Sequence, residues 1–103
     1  MIKITKLTTR PNTNVLWHFD AGIFDAGFYS HMNDTYVQPG KCILSSNAFS
    51  EDGLQMTWTS FWDTEENYNA YQADPLFTVY WNLKQEYYDT NGVVMSANQI
   101  EPA

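Results

Sequence analysis

Two histidines and a set of tryptophans are the residues of this chain best suited to chemistry. His18 lies in Val15-Leu16-Trp17-His18-Phe19, and His31 flanks an apolar helical stripe. Imidazole titrates near neutrality, so His18 and His31 are the candidate catalytic acid or base. They are not spaced as a metal pair on one helix, so no metal site is expected. Trp58 and Trp62, four residues apart, share one face of a strand, where such rings either fill a core or lie against a flat ligand. Together with Trp17, Tyr68 and Tyr80 they form the candidate ligand-binding set. No cofactor is expected, because Gly-rich phosphate loops are absent. No Gly-x-Ser-x-Gly occurs to carry a serine nucleophile. The pairs Glu51-Asp52 and Glu65-Glu66 are explained by a turn and a helix N-terminus.

Bulk properties narrow the classes of partner. The chain has 103 residues, 44% of them apolar and 17% charged, which places it among globular proteins and predicts a single domain over residues 1–103. Net charge is −7, and Lys3, Lys6, Arg10, Lys41 and Lys84 are scattered along the sequence. No basic stripe exists to neutralise phosphates, which argues against nucleic-acid binding. No apolar run approaches membrane-spanning length, and the alternating Met1–Leu7 is unlike a signal peptide, so a cytoplasmic location without membrane contact is expected. Cys42 is the sole cysteine; it excludes an intramolecular disulfide and reads as a small buried hydrophobe.

Periodicity supplies the elements that must hold these residues. Ile2–Thr9 alternates as a strand, with Ile2 and Ile4 on one face, and Arg10-Pro11-Asn12-Thr13-Asn14 ends it. Residues 15–19 are compatible with an extended segment or the approach to a helix. Phe24, Phe28, Met32 and Tyr36 recur at i+4 and predict a helix over about Gly22–Val37, closed by Pro39-Gly40, although Gly22 and Gly27 disfavour it. Lys41–Ser50 and Leu54–Trp62 read as strands joined by a hairpin at Glu51-Asp52-Gly53. Thr64 is an N-cap, and Asp74-Pro75 opens a second helix that stops at Asn91-Gly92. On that helix Leu76, Tyr80, Leu83 and Tyr87 form one stripe, and Phe77, Trp81 and Tyr88 the adjacent one. Val93–Ile100 is the last strand, followed by a tail.

The resulting order is β-α-β-β-α-β, a ferredoxin-like α+β arrangement: a four-stranded antiparallel sheet with helices on one face. The bare face needs cover, and Phe61, Ile43, Phe49 and Ile100 are expected on it. A homodimer stacking two sheets is the simplest way to bury them.

Several segments carry a family resemblance: Thr9-Arg10-Pro11-Asn12 after the first strand, the Gly53-Leu54 hairpin, and the aromatic strand ending Phe61-Trp62-Asp63. Tyr68-Asn69-Ala70-Tyr71-Gln72-Ala73-Asp74-Pro75 completes the set. In these the chain resembles the dimeric α+β barrel superfamily, in the style of antibiotic-biosynthesis-monooxygenase-like small proteins. The resemblance implies a homodimer and a pocket between sheet and helices. It also implies cofactor-independent oxidation of polycyclic aromatic substrates, with Trp58, Trp62, Tyr68 or Tyr80 as ring contacts and His18, His31 or Arg10 as polar partners. The haem-degrading branch is set aside, since no histidine follows His31. Three functions remain in view: a binder of an aromatic or apolar small molecule, a cofactor-independent monooxygenase on polyphenolic substrates, and an interaction module without ligand.

Overall fold

The computed structural model describes residues 1–103. The chain runs β1 (Ile2–Thr9), α1 (Ala26–Met32), β2 (Cys42–Phe49), β3 (Gln55–Trp62), α2 (Glu65–Gln72), α3 (Thr78–Asn91), β4 (Val94–Met95) and β5 (Gln99–Pro102). A π-helical turn, Asn33–Val37, extends α1. The strands pair antiparallel in the order β2-β3-β1-β4, with β5 also on β1. The expected α+β topology is therefore present, with two short pieces sharing the last strand position.

Local chemistry sets most boundaries. The Asp25 side chain accepts from the Phe28 N–H and caps α1, so the helix starts later than Gly22. Residues 15–19 stay outside any helix or strand and turn back through the Trp17 carbonyl, which accepts from Asp20 and Ala21. Thr64 accepts from the Asn67 N–H at 3.1 Å, with Glu65 and Glu66 in the first turn of α2, where the helix dipole favours acidic groups. Asp74 caps only the turn Pro75–Phe77, through Leu76 N–H at 2.9 Å, and α3 begins after it. Gly92 ends α3 at φ 73°, a left-handed conformation that a side chain would strain.

Of the two stripes on α3, the Phe77–Trp81–Tyr88 side faces inward: Phe77 and Tyr88 are essentially fully buried, whereas Leu76 and Leu83 are exposed. The last strand is broken at residues 96–98. Ser96 bonds both backbone groups of Leu7, and Asn98 turns its side chain to the Tyr68 hydroxyl. The expected tail, Glu101-Pro102, pairs instead with Lys3 and Ile2 of β1.

Directly opposed residues of an antiparallel pair share a face, so the register sorts every strand. Ile4, Ser60 and Ser45 lie in one row under the helices; Lys6, Trp58 and Asn47 form the next, and Thr8, Met56 and Phe49 the one after. Phe61 lies on the bare face, opposite Leu44. Phe49 and Ile100 do not join it. A bulge at Ile43, between Cys42 and Leu44, advances β2 by one residue and reverses the parity of all that follows. Phe49 thus meets Trp17 and Phe19 on the helix side, at centroid distances of 6.2 and 6.4 Å. Ile100 opposes Ile4 and shares its side.

One end of the helix–sheet layer is solid. Ile4, Phe28, Tyr36, Cys42, Trp62, Tyr68, Tyr71 and Phe77 form a buried cluster, assembled by α1 with its π turn, α2 and the start of α3. Burying rings of this size is the main stabilising contribution available to so small a chain.

Candidate functional site

The other end of the layer is hollow. A cavity of about 660 Å³ lies between sheet and helices, bordered by twenty residues. Its floor is the sheet rows of Lys6, Trp58 and Asn47 and of Thr8 and Met56. Its walls are Phe28, Tyr29 and Met32 of α1, and Trp81, Lys84, Gln85 and Tyr88 of α3. His18, Phe19 and Phe24, from the connection between β1 and α1, complete it.

Two of the expected site residues face this space. Trp58 is half-buried in the floor, its indole N–H donating to the Ser45 hydroxyl at 2.8 Å. His18 is held by Tyr88 twice: its backbone N–H donates to the phenol oxygen at 3.0 Å, and its Nδ1 lies 2.7 Å from the same oxygen. The direction of the second bond follows the imidazole tautomer: with the phenol donating to Nδ1, the neutral ring carries its hydrogen on Nε2. Burial, with the positive charges of Lys84 and Lys6 adding to it, lowers the His18 pKa to about 3. At neutral pH His18 is therefore an uncharged N–H donor and a weak base.

The remaining candidates stand elsewhere. Trp62 is wholly buried, donating to Ser60 Oγ at 2.9 Å and packed on Tyr71 at 4.8 Å. Tyr68 is buried beside it and bonds Asn98. Trp17 is buried beneath the Arg10 guanidinium, which lies 4.4 Å from its ring centroid and also bonds the carbonyls of Gly53 and Val15. Tyr80 donates to Asp25 at 2.6 Å, on the rim side of α3. Gly27 leaves room for that bond, because a Cβ there would stand 3.3 Å from the Tyr80 oxygen. His31 is occupied by a structural network: Nε2 donates to Asp74 at 2.7 Å, Thr35 meets Nδ1, and Tyr36 donates to the same carboxylate oxygen at 2.7 Å. No group of three or more His, Cys, Asp or Glu side chains comes together in the molecule, and no helix is long and apolar enough to cross a membrane.

No protein-family model matches the chain, and no curated protein resembles it in sequence. Solved structures do resemble it. A proposed antibiotic biosynthesis monooxygenase from Deinococcus radiodurans superposes with a TM-score of 0.66 at 14% identity, covering 100% of this chain and 92% of that one. A conserved protein of unknown function and possible oxidoreductase from Bacteroides thetaiotaomicron gives 0.64 at 15% identity over 97% and 94%. A dimeric ferredoxin-like protein from an uncultured marine organism gives 0.62 at 8% identity over 97% and 92%. The fold is ferredoxin-like.

Within that ferredoxin-like frame, Lys6, Lys84 and Asn47 lie outside the set expected from the sequence, whereas Tyr88, read there as core or pocket lining, borders the cavity. Lys6 has the parity of Ile4, so the β1 pattern alone places it inward. Lys84 falls between Trp81 and Tyr88 on the inner stripe of α3, where i, i+3 and i+4 neighbours share a side. Both were legible as cations on otherwise apolar faces. Asn47 was hidden, because the bulge at Ile43 inverts its side. Burial, reinforced by the charge of Lys6, lowers the Lys84 pKa to about 8, and burial also lowers that of Lys6.

Proposed function

We propose that the protein binds a flat aromatic small molecule in the cavity between sheet and helices. The observation that carries this reading is the cavity itself: about 660 Å³, walled by Trp58, Trp81, Phe24 and Phe28, with a few convergent polar groups. That is the usual form of a small-molecule site, apolar over most of its wall and polar at a few points that fix orientation. Trp58 supplies the stacking surface and His18 an uncharged donor for a carbonyl or phenol oxygen.

Tryptophan fluorescence and thermal shift against a panel of anthrones, naphthols and other flat aromatics test it. Saturable binding in the low-micromolar range, weakened at least about tenfold in Trp58→Ala, is expected from the loss of a ring contact. Absence of any binder across the panel would leave the interaction-module reading standing.

A second reading is oxygenation of a polyphenolic ligand without a cofactor. It is favoured by the fold shared with the proposed monooxygenase and by a neutral His18 near Lys84, whose pKa, though lowered to about 8, stays above that of His18 and leaves it the stronger base of the two. An anthrone-like substrate that loses its acidic C–H proton becomes an electron-rich carbanion. Dioxygen then oxidises it, one oxygen atom ending in the quinone and the other leaving as water. Oxygen uptake with such substrates, reduced in His18→Ala and Trp58→Ala, is the expected result. Unchanged turnover in both variants would remove the roles given to these residues.

The same proposal includes a homodimer through the bare sheet face, where Leu44 is exposed opposite Phe61 and Leu7 is exposed further along β1. Sedimentation showing a strict monomer at micromolar concentration would overturn it.

A further inference from the structure

Twelve acidic residues outnumber five basic ones in this chain, yet the cavity lining holds two lysines and no carboxylate. We infer that the ligand is an aromatic oxyanion, a carboxylate or phenolate, whose ring lies against Trp58 and Trp81 and whose charge sits between Lys6 and Lys84. This rests on the cavity being the ligand site and names the class of molecule that site takes.

The two lysines come from opposite sides. Lys6 rises from the sheet floor, directly opposed to Trp58 across the β1–β3 pair. Lys84 descends from the inner stripe of α3, its ammonium 5.3 Å from the Trp81 ring centroid. Neither has a carboxylate partner, since the ion pairs of the molecule are Lys3–Glu101 and His31–Asp74. The contrast with Lys3 is telling, because it belongs to the same strand and meets Glu101 on the bare face. Lysines often carry an ammonium to water at the end of an apolar stem. Here two like charges instead share one partly desolvated space, which is unfavourable until an anion enters.

Other titratable groups on the lining are His18, Tyr29, Tyr71 and Tyr88. His18 is uncharged at neutral pH, while burial pushes Tyr88 up to about 12 and raises Tyr71 as well, which keeps both phenols neutral. The fixed charge offered to a ligand is therefore that of the lysines, and anion affinity falls as pH rises through about 8, where Lys84 loses its proton.

The test compares 2-naphthoate with its neutral isostere 2-naphthamide by calorimetry on the intact protein, at fixed salt and pH 7. The expected result is a preference for the acid of about tenfold or more, as for a charge-assisted hydrogen bond in a partly dry site. Lys6→Met and Lys84→Met each reduce that preference, and the double variant removes it while still binding the amide, which also reports that it is folded. Equal binding of acid and amide by the native protein, or a preference that survives in the double variant, overturns the inference while leaving the aromatic cavity in place. Failure of both probes to bind removes the cavity reading and this inference together.

Discussion

Trp62 and Trp58 stand four residues apart on one face of β3, yet Trp62 is completely buried and Trp58 walls a cavity. The strand treats them alike; what lies above them differs. Over Trp62 sit Tyr36 from the π turn and Tyr68 and Tyr71 from α2, all within 6 Å between ring centroids. Over Trp58 the side chains of α1 and α3 border open space. His18, Phe19 and Phe24 of the connection between β1 and α1 border it too, that connection being tied to α3 through Tyr88 on His18 and through Tyr87, whose hydroxyl donates to the Leu16 carbonyl at 2.8 Å. The sheet beneath changes character at the same point, from Ile4 and Ser60 to Lys6 and Asn47. Aromatic density on its own therefore decides neither packing nor binding. The element that covers each ring does.

Substitution at the two tryptophans is the sharpest way to break this comparison. Trp62→Ala is expected to cost about 3–5 kcal/mol of folding free energy, because a large void opens among rings that cannot collapse into it. Trp58→Ala, beside space that already exists, is expected to cost about half of that or less and to act mainly on ligand affinity. Equilibrium urea unfolding of both variants checks the contrast, and equal losses would abolish it.

Next in size comes the clasp at the solid end. Asp74→Ala strands the His31 imidazole, the Tyr36 hydroxyl and the Leu76 N–H, at an expected cost of about 1–3 kcal/mol. Burial works against the Asp74 charge, but the hydrogen bonds from Tyr36 and His31 outweigh it and hold the pKa below the usual carboxylate range. Its contribution is thus present above the unfolded carboxylate pKa and is lost as pH falls through the folded one.

His18 at the hollow end responds over a higher window. Its folded pKa is depressed, so the unfolded chain takes up the proton first; stability is full above the ordinary histidine pKa and declines as pH falls from about 6.5 towards 3. Thermal unfolding between pH 7 and 4 should show this slope, and His18→Phe should flatten it. The smallest effect is expected for Lys84→Met without ligand. Removing an unpaired ammonium from a partly dry wall should change stability by no more than about 1 kcal/mol, towards greater stability.

How far the sequence led follows the same division. Capping residues announce themselves by type, so Thr64 and Gly92 mark their helix ends correctly, and the alternation in β1 and β3 sorts their faces without error. Trp58 and Trp62 could not be told apart, because parity says which side a ring faces and nothing about what descends on it. Phe49 and Ile100 were misplaced because parity counting assumes an unbroken register, which the bulge in β2 and the break at residues 96–98 violate. Lys6 and Lys84 are legible on inward faces, whereas the near-neutral pKa that marks an imidazole as a candidate does not separate His18 from His31, whose bonds tie α1 to the Asp74 turn.

The extra residue at Ile43 decides which residues of β2 floor the cavity. Were the present sequence to pair with β3 without the bulge, a one-residue slip would turn Leu44, Ser46 and Ala48 to the helix side and Ser45, Asn47 and Phe49 to the bare face. Deletion of Ile43, by contrast, would leave Leu44 opposite Phe61 and every later residue on its present side. The bulge thus marks a place where the strand can lose a residue while the cavity floor stays unchanged.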